Sequence, residues 1–401
     1  VSPTTVSEAW RSLAGVGAIE ARGRNGTYVR SPTGPGGPRR YRRITGGSGH
    51  FALDLSSGTP DPALLPDLGP AVSRVGTQSL TSSYLDHPVL PDLEEELVAS
   101  WPFPAEAFTV VDGAMDALDR VAAVVLRLGD RVVVEHPTFP PLLDLLEQMG
   151  CDVVGVDVDD GGPNVDGLAA AVPGARAVFL QSRAQNPAGA SISTSRAAEL
   201  AAVLAAHEAL VIEDDHANDI SAAPLVSVGR WMPERTVHIR SYSKSHGPDL
   251  RLAAVGGAGD VVTAVANRRL LGPGWSSRIL QALLVELLRD PRTAECLATA
   301  TATYARRRAV AVDTLTDRGV GVTGRDGINL WVTVADERSA TVALAARGIG
   351  VAPGDPFLVR PDEDHLRVTV GLITGPDVHV RTVADHLADA ALRPIRQSHH
   401  R

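Results

Sequence analysis

The chain has 401 residues, a hydrophobic content of 44% and a formal charge of −9, which allows two or three domains with a sizeable core. Charge, Gly or Pro breaks its apolar runs well before the ~20 residues that a membrane helix needs. No charged-then-apolar leader opens it, so a cytoplasmic protein with no membrane partner is expected.

In chain order, Ser2-Pro3 starts a helix, with Ser as N-cap and Pro at the first helical position. Val6, Trp10 and Leu13 recur at helical spacing, and Gly15 and Gly17 end the run. Residues 18–21 and 27–29 read as two short strands about the turn Arg24-Asn25-Gly26. Residues 31–49 are rich in Pro, Gly, Ser and Arg and read as a linker. Residues 1–45 hold eight arginines and two glutamates, so a basic arm precedes an acidic remainder. Such an arm suits contact with polyanions, or is simply solvated.

From about residue 50, strands and helices alternate. Apolar runs at 107–111, 131–135, 152–157, 177–181, 209–213, 236–240 and 251–256 have the length and composition of buried strands. Helical patterns at 114–127, 139–149 and 195–207 lie between them. This predicts an α/β domain with a mainly parallel central sheet. A helical tract at about 276–319 follows, then strands near 328–334 and 365–371 and helices near 337–347 and 376–391, a smaller α+β unit. The expected divisions are 1–30, 31–49, 50–392 (a large part at about 75–275 and a small part at about 276–392) and a tail at 393–401. Cys151 and Cys296 fit no metal-ligand spacing and read as two thiols of a reducing compartment.

Lys244 is the only lysine, against 37 arginines. Arginine stays protonated and cannot act as a nucleophilic amine, so a lysine kept where arginine serves elsewhere is a candidate for covalent chemistry. Three other motifs stand beside it. Asp112-Gly113-Ala114-Met115 joins a strand to a helix, and a small-residue turn there exposes amide groups to a phosphate. Gln185-Asn186-Pro187 follows one strand, and Glu213-Asp214-Asp215-His216 ends another, where α/β sheets bind ligands. Ser241 before Lys244 and Arg251 after it add a hydroxyl and a guanidinium, which together suit a phosphorylated aldehyde.

Residues 1–30 resemble the recognition helix and wing of a GntR-family winged helix-turn-helix, carried by Val1-Ser2 with Thr4-Thr5-Val6, by Leu13, Gly17 and Ile19, and by Gly26-Thr27-Tyr28-Val29. The helices that precede a recognition helix are missing and the first residue is not Met, so a fragment is expected. Residues ~50–392 resemble a fold-type I pyridoxal-phosphate aminotransferase, and the whole chain resembles the MocR subgroup of GntR-type regulators. The resemblance implies pyridoxal 5'-phosphate as cofactor and a homodimer. It makes Lys244 the residue of the internal aldimine and Asp214 the partner of the pyridine nitrogen. Asn186 and His216 would face the phenolic oxygen, and Phe139 would stack on the ring. Gly113, Ala114, Ser241 and Arg251 would hold the phosphate, with Met115 beside them in the cofactor site and Tyr84 reaching the partner subunit's phosphate. Arg367, with Asn186, would bind the α-carboxylate of an amino acid. On the DNA side, Thr4, Thr5 and Ser7 would reach base edges, and Arg11, Arg22 and Arg24 would contact phosphates.

Three positions depart from the pattern. His216 stands for the usual Tyr and can carry charge, Met115 stands for a polar residue, and the stretch 296–299 lacks the cations of its relatives. Three functions stay open at this point. One is a regulator that senses an amino acid or amine through Lys244. The others are a working aminotransferase with a vestigial basic arm and another type of pyridoxal-phosphate enzyme.

Overall fold

Ser2 begins the chain's first helical turn, over residues 3–7, and caps it: its Oγ accepts from the backbone N–H of Thr5 at 3.2 Å. The computed structural model describes residues 2–7, 10, 19–21, 26–29, 38–45, 51–78, 83 and 86–392. Strands β1 (Ile19–Ala21) and β2 (Thr27–Val29) pair antiparallel, with Ile19 opposite Val29. Val6 and Trp10 are exposed, 43% and 48%, so the apolar side of this helix has no cover among the described residues.

Residues 39–45 depart from the linker expectation. Arg39–Thr45 is a helix that lies against the body of the molecule. The carboxylate of Asp144 accepts from the backbone N–H of Arg40 and Tyr41 at 3.1 and 3.2 Å, and Arg40 and Arg43 pair with Glu147 and Asp355. Ile44 is buried against Trp331, Ala352 and Phe357. Local composition misleads here, because the cap and the counter-charges come from residues more than 100 positions away.

The strand β3 (Leu53–Asp54) pairs with β14 (Ile349–Gly350), so the start of the domain is tied to its far end. The large sheet contains β4 (Ala107–Val111), β5 (Arg131–His136), β6 (Asp152–Asp159), β7 (Gly162–Pro163), β8 (Ala175–Leu180), β9 (Leu210–Asp215), β10 (Thr236–Ser241) and β11 (Ala253–Gly257). Their order is β4-β11-β10-β9-β8-β5-β6-β7. Strands β6, β5, β8, β9 and β10 run parallel, and β11 runs antiparallel between β10 and β4. Both faces are covered, which explains why these strands read as continuous apolar runs. Val132, Val134, Phe179 and Ile212 meet the helices Ala114–Val125 and Pro140–Met149 on one face. Val133, Val178, Leu180 and Val211 meet Val165–Ala171 and Thr194–Ala205 on the other.

The helical tract at 276–319 is two helices, Arg278–Arg289 and Pro291–Asp317. Pro291 lacks the N–H needed to continue the first, and Asp290 caps the second by accepting from Arg292 N–H at 3.0 Å. The first packs with Leu93, Leu97 and Tyr242 of the large part. The second joins the smaller core with its later half, where Ala311 and Leu315 meet β12 (Val322–Thr323), β13 (Leu330–Thr333), β16 (His365–Val368) and the helices Glu337–Ala345 and Asp377–Ala391. By packing, the passage between the two cores runs along this second helix, whose Leu297, Ala300 and Tyr304 lie with Ala184, Ala217 and Ile220 of the large part. No helix among the described residues is long and apolar enough to cross a membrane.

Candidate functional site

The topology gathers the chemistry at one edge. The carboxyl ends of β5, β8, β9 and β10 point the same way, and so does that of β4, because β11 is antiparallel to both β4 and β10. The antiparallel β11 also begins at this edge, which brings Arg251 beside Gly113: Ala253 is opposite both Val111 and Ser241. Ligands of open α/β sheets bind outside such carboxyl ends.

Lys244 follows β10, and its Nζ donates to Nδ1 of His216 at 2.8 Å. His216 Nε2 lies 2.9 Å from the carbonyl oxygen of Ala184. A carbonyl only accepts, so Nε2 carries the proton and Nδ1 offers a lone pair to Lys244. Burial, reinforced by Lys244, pushes His216 down to about 3. The expectation that this imidazole can carry charge is thus corrected: it is buried and neutral, and its one N–H is committed to Ala184. Burial lowers Lys244 to about 8, offset in part by Asp214 and reinforced by Arg367. A usable fraction of free amine is therefore present near neutral pH.

Asp214 and Asp215 are adjacent on β9, yet their settings differ. Asp215 pairs with the buried Arg183; burial pushes its carboxyl up, but Arg183 and His238 outweigh that and hold it low. Asp214 accepts at Oδ2 from Gln181 Nε2 at 2.7 Å, while its Oδ1 is buried with no hydrogen-bond partner among the described atoms. Burial raises Asp214 to about 6, against the pull of Gln181 and Lys244. Gln181 also accepts at Oε1 from Asn186 N–H at 2.8 Å, so one amide orients two site residues. Asn329 Nδ2 lies 3.5 Å from Asn186 Oδ1, which leaves the Asn186 amide N–H groups free to donate. Phe139, at the start of Pro140–Met149, lines a small cavity with Asp214, Gln181, Thr138 and Glu135.

Sequence reasoning missed Gln181, Asn329 and Glu135. For Gln181 the one local signal is a polar residue closing a buried strand, which does not set it apart from other strand ends. Glu135 accepts from Gln181 N–H and Gln185 Nε2, both at 3.2 Å, and burial outweighs these bonds to push it up to about 8. It is a neutral acid at pH 7. An acid whose folded value is raised holds its proton more tightly when folded. Its stability contribution is therefore full below its ordinary value of 4.5 and is lost as pH rises to about 8. Glu135→Gln is expected to remove a loss on the order of 5 kcal/mol between those limits, read by urea denaturation across the window. An identical pH profile in the variant refutes this.

The helix Ala114–Val125 starts at Gly113, whose φ is +104°. A Cβ there would lie 2.9 Å from Arg251 Nη2, and the positive φ is what calls for glycine. Arg251 Nη2 donates to the Asp112 carbonyl at 3.0 Å. The buried Arg269, also unforeseen, donates to Asp116 at 3.0 Å and to Asp112 at 3.4 Å and holds this turn from behind. Ala114 and Met115 pack into the core beneath the sheet, and Ser241 is buried at the end of β10. Arg367 lies on β16 between β13 and β15 (Ala352–Pro353), 4% exposed, and donates to the Ser56 carbonyl. Its guanidinium lies 5.4 Å from the ring centre of Phe357, and its Nε is buried without a partner. Burial lowers its pKa to about 10.

These residues fit a phosphorylated pyridine aldehyde. The amine, the open carboxylate oxygen of Asp214 and the Gly113–Arg251 turn at a helix N-terminus match its three polar ends. Thr4, Thr5 and Ser7 are exposed on the N-terminal helix. Tyr84, Arg11, Arg22 and Arg24 lie outside the described residues. Cys151 and Cys296 are free thiols, and no metal-holding cluster occurs among the described residues.

The model of the aminotransferase class I and II family matches residues 52–387. The chain is similar to the vitamin B6 salvage pathway transcriptional repressor PtsJ of Salmonella typhimurium, 35% identical over 400 residues, 97% of this chain and 90% of that protein. The HTH-type transcriptional regulator TauR of Rhodobacter capsulatus is 30% identical over 267 residues, 63% of this chain and 54% of the relative. The solved structure of LysN, an α-aminoadipate aminotransferase from Thermus thermophilus, has a TM-score of 0.78 at 20% identity, covering 95% of this chain and 98% of that one.

Proposed function

Since the chain belongs to the aminotransferase class I and II family, in its MocR-type regulator branch, we propose that it is a cytoplasmic transcription regulator whose aminotransferase-like domain senses an amino acid or amine at Lys244. Pyridoxal phosphate is its cofactor, and when bound supplies an aldehyde that couples to amines and a ring that draws electrons. Lys244 would hold that aldehyde through its Nζ, which burial keeps partly unprotonated near neutral pH. Asp214 would accept from the pyridine N–H at its open oxygen, and Asn186 would donate to the phenolic oxygen. Gly113, Ala114, Ser241 and Arg251 hold the phosphate. Phe139 covers the ring, and Arg367 binds the carboxylate of an amino acid. His216 orients the Lys244 amine through its Nδ1 lone pair. A second copy of the chain completes the phosphate site through Tyr84.

The observation that carries the regulator reading is the similarity to PtsJ along nearly the whole chain, N-terminal segment included. The exposed side chains of Thr4, Thr5 and Ser7 on a capped helix followed by a hairpin suit a reader of base edges. The test pairs two measurements on the full-length protein. Absorbance of the loaded protein is titrated with the twenty amino acids and common amines, and binding to its own upstream DNA is measured over a range of salt. One class of amine is expected to shift both. Arg24→Ala is expected to weaken binding to all sequences alike and to lower the salt slope by about one. No DNA binding with or without cofactor, together with ordinary turnover of an amino acid and a keto acid, refutes the proposal. The intact set of Lys244, Asp214, Asn186 and Arg367 favours an aminotransferase as the second reading in that case.

A further inference from the structure

We infer that the linker helix Arg39–Thr45 is an internal reporter, held against the back of the carboxylate site, whose docking is tightened when a carboxylate occupies Arg367. The inference rests on the proposed role of Arg367 and names the regulation of that same site.

The helix is seven residues long. An isolated helix of that length is unstable in water, because too few hydrogen bonds form to offset its nucleation. Its existence therefore depends on its seat, and the seat has two owners. From the large part, Asp144 accepts from the N–H groups of Arg40 and Tyr41, and Glu147 pairs with Arg40. From the smaller part, the carbonyl of Leu358 accepts from Arg40 Nη1 at 2.9 Å, Asp355 pairs with Arg43, and Phe357, Ala352 and Trp331 enclose Ile44. One short helix thus bridges both parts.

The same seat is the rear wall of the site. Phe357 packs with Ile44 and also lies under the Arg367 guanidinium. Trp331 and Ala352 are the strand neighbours of Arg367 on either side. On the large side, Asp144 sits on the helix that begins one residue after Phe139, and the Phe357 carbonyl accepts from Thr138 N–H at 2.9 Å. A carboxylate that fixes Arg367 therefore fixes Phe357, and with it the pocket for Ile44. The docked state is the one observed, and without its seat so short a helix would unwind. Seven residues span roughly 10 Å as helix and up to about 24 Å as extended chain. A change of docking thus alters the reach of the tether to residues 2–29, which is the kind of two-state element that coupling between sites requires.

The test is hydrogen exchange of the amides of residues 39–45 in this chain, with two stable ligands. N-(5'-phosphopyridoxyl)-L-leucine carries both the cofactor and an amino-acid carboxylate; pyridoxamine phosphate carries the cofactor alone. The leucine adduct is expected to slow exchange at 39–45 by roughly fivefold or more relative to pyridoxamine phosphate, while the distant helix Val165–Ala171 exchanges equally with both. Ile44→Ala is expected to erase the difference. Asp144→Asn, which weakens the cap and leaves the apolar seat intact, is expected to speed exchange with both ligands. Unchanged or faster exchange with the adduct overturns the inference, as does a full difference retained in Ile44→Ala. The readout contains no DNA and no turnover, so these failures leave the regulator reading standing. Failure of both ligands to bind overturns the site and the inference together.

Discussion

Lys244→Arg is expected to lose all cofactor that borohydride can fix to the protein. The wild type should be yellow when loaded and should yield its label on the peptide that contains Lys244. No other lysine exists in the chain, so only the N-terminal amine competes. Arginine preserves charge and approximate length but never supplies a free amine. The pH dependence has a definite sign. Lys244 is lowered to about 8, so the rate of loading is expected to rise with pH up to about 8 and then to level. His216, neutral over this whole range, adds no inflection between pH 5 and 7. Label recovered only from the N-terminus, or equal label in the variant, eliminates Lys244 as the point of attachment.

Asp214→Asn is expected to weaken pyridoxal phosphate binding by about 10- to 100-fold, the loss of one hydrogen bond to a charged group, worth ~1.5–3 kcal/mol. Asparagine still accepts from Gln181, so the supporting amide keeps its partner, but no carboxylate remains to carry the pyridine charge. Without cofactor, the same variant should be more stable than wild type at pH 7. Asp214 has a raised folded value of about 6, so the stability it gives is present below its ordinary value of 3.8 and is lost as pH rises to about 6. Removing the ionised group removes that loss. The opposite signs, weaker binding and a firmer apo protein, mark a carboxylate placed for a ligand at the expense of the fold. Fluorescence titration and urea denaturation measure the two. An unchanged affinity takes Asp214 out of the site, and a less stable apo variant shows that the carboxylate serves the fold alone.

The chemistry was legible wherever it follows from local pattern. A lone lysine among arginines, a glycine at a strand-to-helix turn and acids at the end of a buried strand are local features. The strands that position them were read from apolar runs with both faces covered. The breaks in that reading share one cause. Gln181 orients Asp214 and Asn186, but nothing local distinguishes it from other polar residues at strand ends. Arg367 is assigned by the resemblance alone, and nothing in its own strand foretells its burial on β16 over Phe357. His216 has a side chain that can hold charge, and only its surroundings forbid it. The linker helix has the composition of a solvated basic segment, and Asp144, 104 residues from Arg40 in sequence, gives it its cap.

By itself, then, the amino-acid order determined which functional groups exist and on which strand ends they lie, because the strand period and the turn residues act over a few positions. The tertiary structure alone decided which of two adjacent carboxylates is paired and which stays open, which imidazole is neutral, and which basic stretch folds. Burial and hydrogen-bond partners are set by contacts between segments far apart in the chain, and those two quantities decide the charge and the readiness of every group in the site.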